Sequence, residues 1–343
     1  MRPYEHGGDI YRNRVRLDFS VNTNPLGIPE SVIKALGERL GACANYPDPH
    51  CEALCCAIAR FEGVPQSHII CGNGAADLIY RLVFSQKPKQ ALVCAPTFSE
   101  YERAVLISGG VVKYHTLREV EGFALTRRIL DEISIGTDMV FVCNPNNPTG
   151  KLADGALLQA IAERCLACGA TLVVDECFLP FTSGKSLKTL PQVVVLKAFT
   201  KLYAMAGLRL GYLLCGNADI TNAVWDHAQT WSVSALAQIA GVAALEQSGD
   251  WVKQTLDVIQ TERESLCAQL RALGLRVWES DANFILLRSE RPLYGPLLKR
   301  GILVRCCANF KGLGENDIRI AVKLRAENQA LVATIKQALA GEG

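Results

Sequence analysis

The hydrophobic and polar positions of the chain alternate between two periods. From Pro29, the run SVIKALGERLG repeats its apolar residues at helical spacing and stops at glycine, which predicts an amphipathic helix. Cys51–Glu62 reads as a second helix, closed by Gly63-Val64-Pro65. Short, nearly all-apolar runs then alternate with helical stretches. IICG leads through a Gly-rich turn into AADLIYRLVFSQ, and QALVCA leads into SEYERAVLISGG. Val111–His115 is a strand, Thr126–Glu132 a helix, MVFVC a strand, Leu157–Cys168 a helix and ATLVVD a strand. Val193–Tyr212 holds one buried strand and the start of another near Gly211. Strands this apolar are buried on both faces, so up to Tyr212 the pattern predicts an α/β fold with a doubly wound, mostly parallel sheet and right-handed crossovers.

The rhythm changes beyond Tyr212. WSVSALAQIAGVAALEQ and WVKQTLDVIQTERESLCAQLRALG are long helical patterns. They precede strands at Leu275–Trp278, Asn283–Leu287, Ile302–Arg305 and Asp317–Ala321, with helices at Leu293–Lys299 and Glu327–Ala340. That order predicts a smaller α+β unit. The expected division is a large domain over 29–248, a small C-terminal domain over 249–343, and an N-terminal segment, 1–28, that joins the small domain.

Composition narrows the function classes. At 343 residues and 49% apolar content the chain is long enough for two cores and is not disordered. A net charge of +2 without a dense Lys/Arg block argues against nucleic acid, while small anions remain open as ligands. No apolar stretch is long enough to span a bilayer, and the N-terminus lacks the apolar core of a signal peptide, so a cytoplasmic location is expected. Fourteen cysteines then imply free thiols. Cys43, His50, Cys51, Cys55 and Cys56 crowd one stretch, and Cys165/Cys168 form a CxxC without a partner pair. Small buried hydrophobes are expected there rather than a metal site.

Several polar residues interrupt the apolar pattern. Lys201 follows the strand VVVLKA, where it is either an exposed loop lysine or a desolvated amine made nucleophilic by burial. Asp175 and Glu176 end an all-apolar strand, as a helix cap or as partners of a cation. The sequence NPNNPTG fixes a rigid turn that points amide side chains off the sheet edge. GNG before a helix is a tight turn or an anion cradle, and it matches neither GxGxxG nor a Walker motif. Phe98 falls at the carboxyl end of a strand, where parallel sheets bind ligands. Arg305 and Arg319 lie at or within apolar strands, so each needs an anionic ligand or a structural carboxylate. His6-Gly7-Gly8 is a frayed terminus or a further anion contact. An amine, a carboxylate, an asparagine turn, an aromatic and a phosphate cradle together suit pyridoxal phosphate.

NPNNPTG, VVDE and TK…AGLRLGY, in this order, resemble the fold-type-I, aspartate-aminotransferase-like pyridoxal-phosphate enzymes, over nearly the whole chain. The resemblance is greatest to the branch that contains histidinol-phosphate aminotransferase and threonine-phosphate decarboxylase. It implies pyridoxal 5'-phosphate as cofactor, with Lys201 as the Schiff-base lysine and Asp175 paired with the ring nitrogen. Asn147 would bond the ring hydroxyl and reach the substrate, and Phe98 would stack on the ring. Ala75, Ala76, Thr200 and Arg209 would bind the cofactor phosphate. Tyr46 would reach the phosphate of a neighbouring subunit, which implies a homodimer with shared active sites. HGGD, FSVNTNPLG and LVRCCANFKGL resemble the decarboxylases more than the aminotransferases. They imply that His6, Gly7, Asn22 and Arg305 surround a substrate phosphate, with Arg319 on the carboxylate and Lys323 as a further cation. Phe178 and Ala198 depart from the pattern, standing where a tyrosine and a phosphate-binding serine are common. The expected activity is decarboxylation of O-phospho-L-threonine, or of O-phospho-L-serine, to the aminoalkyl phosphate of the cobamide nucleotide loop. A histidinol-phosphate-type aminotransferase and a non-catalytic cofactor-binding protein are the alternatives.

Overall fold

The computed structural model describes residues 6–246 and 248–341. A two-residue strand, β1 (Leu17–Asp18), comes first. The apolar runs that follow form one seven-stranded sheet. Its strands are β2 (Ile69–Gly72), β3 (Gln90–Ala95), β4 (Val111–Thr116), β5 (Met139–Cys143), β6 (Thr171–Asp175), β7 (Val193–Ala198) and β8 (Gly211–Leu214). They lie in the order β2-β8-β7-β6-β5-β3-β4. All neighbours from β7 to β4 pair in parallel, and β8 runs antiparallel to both β7 and β2. The stretch between Ala198 and Gly211 is too short for a crossover helix, so the chain turns back on itself.

The strand residues alternate between two covered faces. Val140, Val142, Leu172, Val174 and Val195 pack into one core cluster, and Met139, Phe141, Val173, Val194 and Leu196 into another. Helices cover both faces, as the uninterrupted apolar runs require. The expected helix at Thr126–Glu132 is shorter than its pattern and covers only Ile129–Glu132.

The C-terminal elements are β9 (Arg276–Val277), β10 (Phe284–Arg288), β11 (Ile302–Leu303), β12 (Arg305–Cys306) and β13 (Asp317–Ala321). Four of them make an antiparallel sheet in the order β12-β13-β10-β9. The expected single strand over Ile302–Arg305 is divided at Val304. β11 pairs in parallel with β1, whereas β12 joins β13. That division brings Arg305 into register opposite Arg319.

Candidate active site

A cavity of about 500 Å3 opens where the carboxyl ends of β3, β5, β6 and β7 face β12 and β13. Every site residue expected from the sequence lines it except Tyr46 and Lys323.

Lys201 lies on the single helical turn Phe199–Leu202 that follows β7. The N-terminal segment holds this turn from behind. Asn24 donates its backbone N–H to Lys201 O at 2.9 Å and its side-chain amide to Leu202 O at 2.8 Å. The cavity withdraws the amine from water. Burial first, and then the Arg319 guanidinium, lower its pKa from 10.5 to about 8. The Phe178 ring lies 5.4 Å from Nζ and packs edge-on against Phe284. Phenylalanine at this position supplies an apolar wall and no hydroxyl.

Asp175 closes β6 and is 5% exposed. Its Oδ1 accepts the Cys177 N–H at 3.0 Å and its Oδ2 the Tyr101 hydroxyl at 2.6 Å. Burial, with the Asp175 charge second, pushes the Tyr101 phenol well above its ordinary pKa, so this hydroxyl remains a donor.

The asparagine turn divides its work. Asn144 accepts the Ala153 N–H, and Asn146 is engaged with Thr97, Pro96 O and Thr149. Those bonds shape the turn. Asn147 is left to face the cavity, where its Oδ1 accepts from Arg319 Nη1 at 2.5 Å.

Gly72-Asn73-Gly74 leads into the helix Ala75–Gln86, whose first amides open onto the cavity at Ala75 and Ala76. Gly74 has φ +85°, and a Cβ there would meet Arg209 Nη2 at 2.7 Å. Arg209 itself adopts the left-handed region, φ +56°, which lays its guanidinium over this glycine. Thr200 completes the rim. Two cavity-lining side chains carry buried polar atoms with no partner among the described residues, Arg319 Nε and Asn22 Oδ1. Among the described residues Arg319 donates to Asn147 and to Ser20 O, neither of them a carboxylate, and burial pulls its pKa down to about 9. It still carries its charge at neutral pH, so the geometry calls for an anion from outside the chain. Arg305 bonds Cys306 O and Asn309 Oδ1 and stacks over Phe310.

His6 and Gly7 lie across the mouth. A Cβ on Gly7 would come within 2.4 Å of Ser20 O, so only glycine lets the backbone sit this close. Tyr46 is apart from this cavity, 77% exposed and stacked on Trp231. Lys323 does not line the cavity and pairs instead with Glu327 at 3.1 Å, four residues along the chain. Sequence reasoning missed Ser20, Glu100, Tyr101 and Phe310. For Glu100 and Tyr101 the available signal was two polar residues just beyond the carboxyl end of β3, next to Phe98.

The clustered thiols fall elsewhere. Cys51, Cys55, Cys71 and Cys165 are buried, Cys56 and Cys168 half-buried, and Cys43 exposed. Cys55 and Cys71 touch at 3.6 Å.

Pyridoxal phosphate fits these residues, with an amine of lowered pKa, a carboxylate held by two donors, helix-start amides and a guanidinium lying where a Cβ would otherwise be. The family model for aminotransferase class I and II matches residues 14–335. A threonine-phosphate decarboxylase of Salmonella typhimurium is 40% identical over 334 residues, covering 95% of this chain and 92% of that protein. Among solved structures, the histidinol-phosphate aminotransferase from Clostridium acetobutylicum superposes with a TM-score of 0.88 at 29% identity, covering 95% of this chain and 99% of that one. The L-threonine-O-3-phosphate decarboxylase from Porphyromonas gingivalis gives 0.84 at 26% identity, covering 94% and 99%.

Proposed function

The chain belongs to the aminotransferase class I and II family, and from that membership we propose that it decarboxylates O-phospho-L-threonine with pyridoxal 5'-phosphate as cofactor. The observation that carries the reading is the facing pair of strand arginines, Arg305 opposite Arg319, beside Asn22 and His6 in the cavity that holds Lys201. One doubly anionic phosphate and one carboxylate match that donor set. Similarity to the Salmonella typhimurium decarboxylase supports the same choice.

Lys201, Asp175, Phe98, Asn147, Ala75, Ala76, Thr200 and Arg209 are the residues that would hold the cofactor. When bound, pyridoxal phosphate supplies an aldehyde that condenses with amines and a ring that takes up electrons released at Cα. The chain contributes the rest. Arg319 grips the carboxylate through its fork of donors, with Asn147 fixing one side of the guanidinium. Arg305, Asn22, Gly7 and His6 bind the phosphate, so the two anionic ends of the substrate set its rotation about Cα. That rotation decides which bond to Cα breaks. When the Cα–carboxylate bond breaks, carbon dioxide leaves and the bonding pair stays behind. Lys201 Nζ would then deliver one proton, taken up from solvent, to Cα. The balance is one proton taken up and one carbon dioxide released, with no amino acceptor. The product is (R)-1-amino-2-propanol O-phosphate, a linker fragment of the cobamide nucleotide loop. O-phospho-L-serine lacks one methyl, a difference of about 1–3 kcal/mol in a fitted pocket, and is the nearest competitor.

The exposed Tyr46 is read as a contact to the cofactor phosphate of a second copy, in a homodimer with shared active sites. A large domain over 29–248 and a small one over 249–343 complete the assignment, and its free thiols suit the cytoplasm.

The test incubates the cofactor-loaded protein with phosphothreonine, phosphoserine and histidinol phosphate, with and without a 2-oxo acid. Carbon dioxide released from phosphothreonine without an oxo acid, and lost in Lys201→Ala, is the expected result. Turnover that requires the oxo acid would make the protein a transaminase.

A further inference from the structure

Glu100 is the second carboxylate, after Asp175, in the wall of a cavity that gathers cations for anions, and the roles above leave it without a task. Its side chain is 8% exposed. Oε1 lies 2.8 Å from His6 Nε2, Oε2 accepts the Tyr80 hydroxyl at 2.9 Å, and Arg103 Nη1 stands 3.6 Å from Oε1. Burial pushes its pKa up, but the bonds from His6 and Tyr80 and the charge of Arg103 outweigh that and hold the carboxyl ionised. An anion here would repel a phosphorylated substrate unless it acted through something between them. His6 occupies that place. Its ring also leans on Phe98, with centroids 5.5 Å apart, and its backbone is fixed separately, where Gly8 N–H donates to Ser20 Oγ at 2.7 Å.

We propose that Glu100 is a positioning residue that holds the His6 imidazole by Nε2, so that the other ring nitrogen, Nδ1, is turned to the substrate phosphate. Glu100 thereby sets the preference for phosphorylated over plain amino acids. A ring that meets an oxygen acceptor at each nitrogen bridges the two groups and donates through both. This inference rests on the phosphate-ester substrate proposed above.

A double-mutant cycle separates this role from a structural one. Glu100→Gln keeps the shape and one accepting oxygen while removing the charge. His6→Ala removes the residue through which Glu100 acts. Both variants and the double variant are assayed as cofactor-loaded enzymes for kcat and KM, and stopped-flow absorbance of the cofactor gives dissociation constants for phosphothreonine and threonine. Glu100→Gln is expected to raise KM and the phosphothreonine dissociation constant about tenfold, with kcat within twofold and threonine binding unchanged. In the His6→Ala background it adds no further effect. Glu100→Asp, which keeps the charge but withdraws it by one methylene, gives an intermediate KM and carries the test if the glutamine variant does not fold. An equal effect of Glu100→Gln with and without His6, or an equal loss for both ligands, overturns the proposal. A wild-type protein that binds threonine as tightly as phosphothreonine removes the phosphate reading itself, and this inference with it.

Discussion

The Tyr101 hydroxyl lies 2.6 Å from Asp175 Oδ2, and both side chains are shut away from water at the floor of the cavity. Tyr101 is wedged flat against Phe141, 5.0 Å between centroids, and edge-on to Phe98 at 5.5 Å. The ring that fixes the carboxylate therefore also braces the aromatic wall expected to cover the cofactor. Tyr101→Phe keeps this packing and removes a single donor. A hydrogen bond to a charged group contributes about 1.5–3 kcal/mol, so kcat/KM should fall roughly 10- to 100-fold. The unfolding midpoint in urea should move little by comparison. An equal loss of activity and stability would mean that the hydroxyl serves the core alone.

Lys201 gives the reaction with the cofactor a definite pH dependence. Below a pKa of about 8 the free amine is the minor form, and its fraction rises tenfold for each unit of pH. Recombination of cofactor-free protein with pyridoxal phosphate should therefore accelerate through pH 6 and 7 and level off above about 8. Stopped-flow absorbance on a pH series checks this. A plateau reached only near 10.5 would show an amine as exposed as any surface lysine.

Gly74 carries the cofactor-phosphate argument. Alanine at this position must take φ +85° and push Arg209 Nη2 away from a Cβ only 2.7 Å off. Gly74→Ala should weaken pyridoxal phosphate binding at least tenfold, with the substrate KM of the saturated enzyme within about threefold of the wild type. Equilibrium dialysis of the cofactor, set beside steady-state kinetics, distinguishes the two. A raised KM with unaltered cofactor affinity would place the cradle on the substrate side.

Much of this site was legible because its signals are violations of the apolar pattern. A lysine after VVVLKA, a carboxylate after TLVVD and arginines inside β-strands are costly, so each marked itself. Arg319 illustrates the gain from structure: the sequence left open a structural carboxylate partner, and its partners among the described residues are Asn147 and Ser20 O. Other features are properties of register and could not be read from one strand at a time. The division at Val304, which sends Leu303 to β1 and Arg305 to β13, depends on two partners far apart in sequence. Glu100 and Tyr101 escaped notice for a different reason. On paper they are an acidic residue and a tyrosine in a helix's first turn, where such residues need no explanation. Only tertiary contact with His6 and Asp175 gives them a role. Lys323 erred the opposite way, since its nearest carboxylate, Glu327, lies four residues along its own chain.

Behind the Lys201 strand lies a cluster that should govern stability rather than chemistry. Glu62 is 5% exposed; its Oε1 accepts the Tyr212 hydroxyl at 2.6 Å and lies 3.1 Å from Lys197 Nζ, and its Oε2 lies 2.7 Å from Lys188 Nζ. Lys197 also approaches Glu176 Oε2 at 3.6 Å, an atom with no hydrogen-bond partner among the described residues. Glu62→Gln takes the carboxylate from Lys188 and leaves Lys197 with Glu176 alone among the described residues. Breaking one partner of such a cluster costs about 3–5 kcal/mol, which urea denaturation would measure directly. The sign of its pH dependence follows from the Glu62 carboxyl. Burial raises its pKa, but the two lysines and Tyr212 outweigh burial and hold it below its ordinary 4.5. Its contribution is therefore complete above pH 4.5 and fades as pH falls below that value. Glu176 is shifted the opposite way by its burial and has the opposite sign, so the comparison must be of wild type with Glu62→Gln at each pH. The gap between the two should narrow on acidification. A gap that stays constant down to pH 3 would mean that the loss came from packing rather than from charge. Lys188→Met in the Glu62→Gln background should restore part of the stability, because it removes the ammonium whose carboxylate partner among the described residues is Glu62.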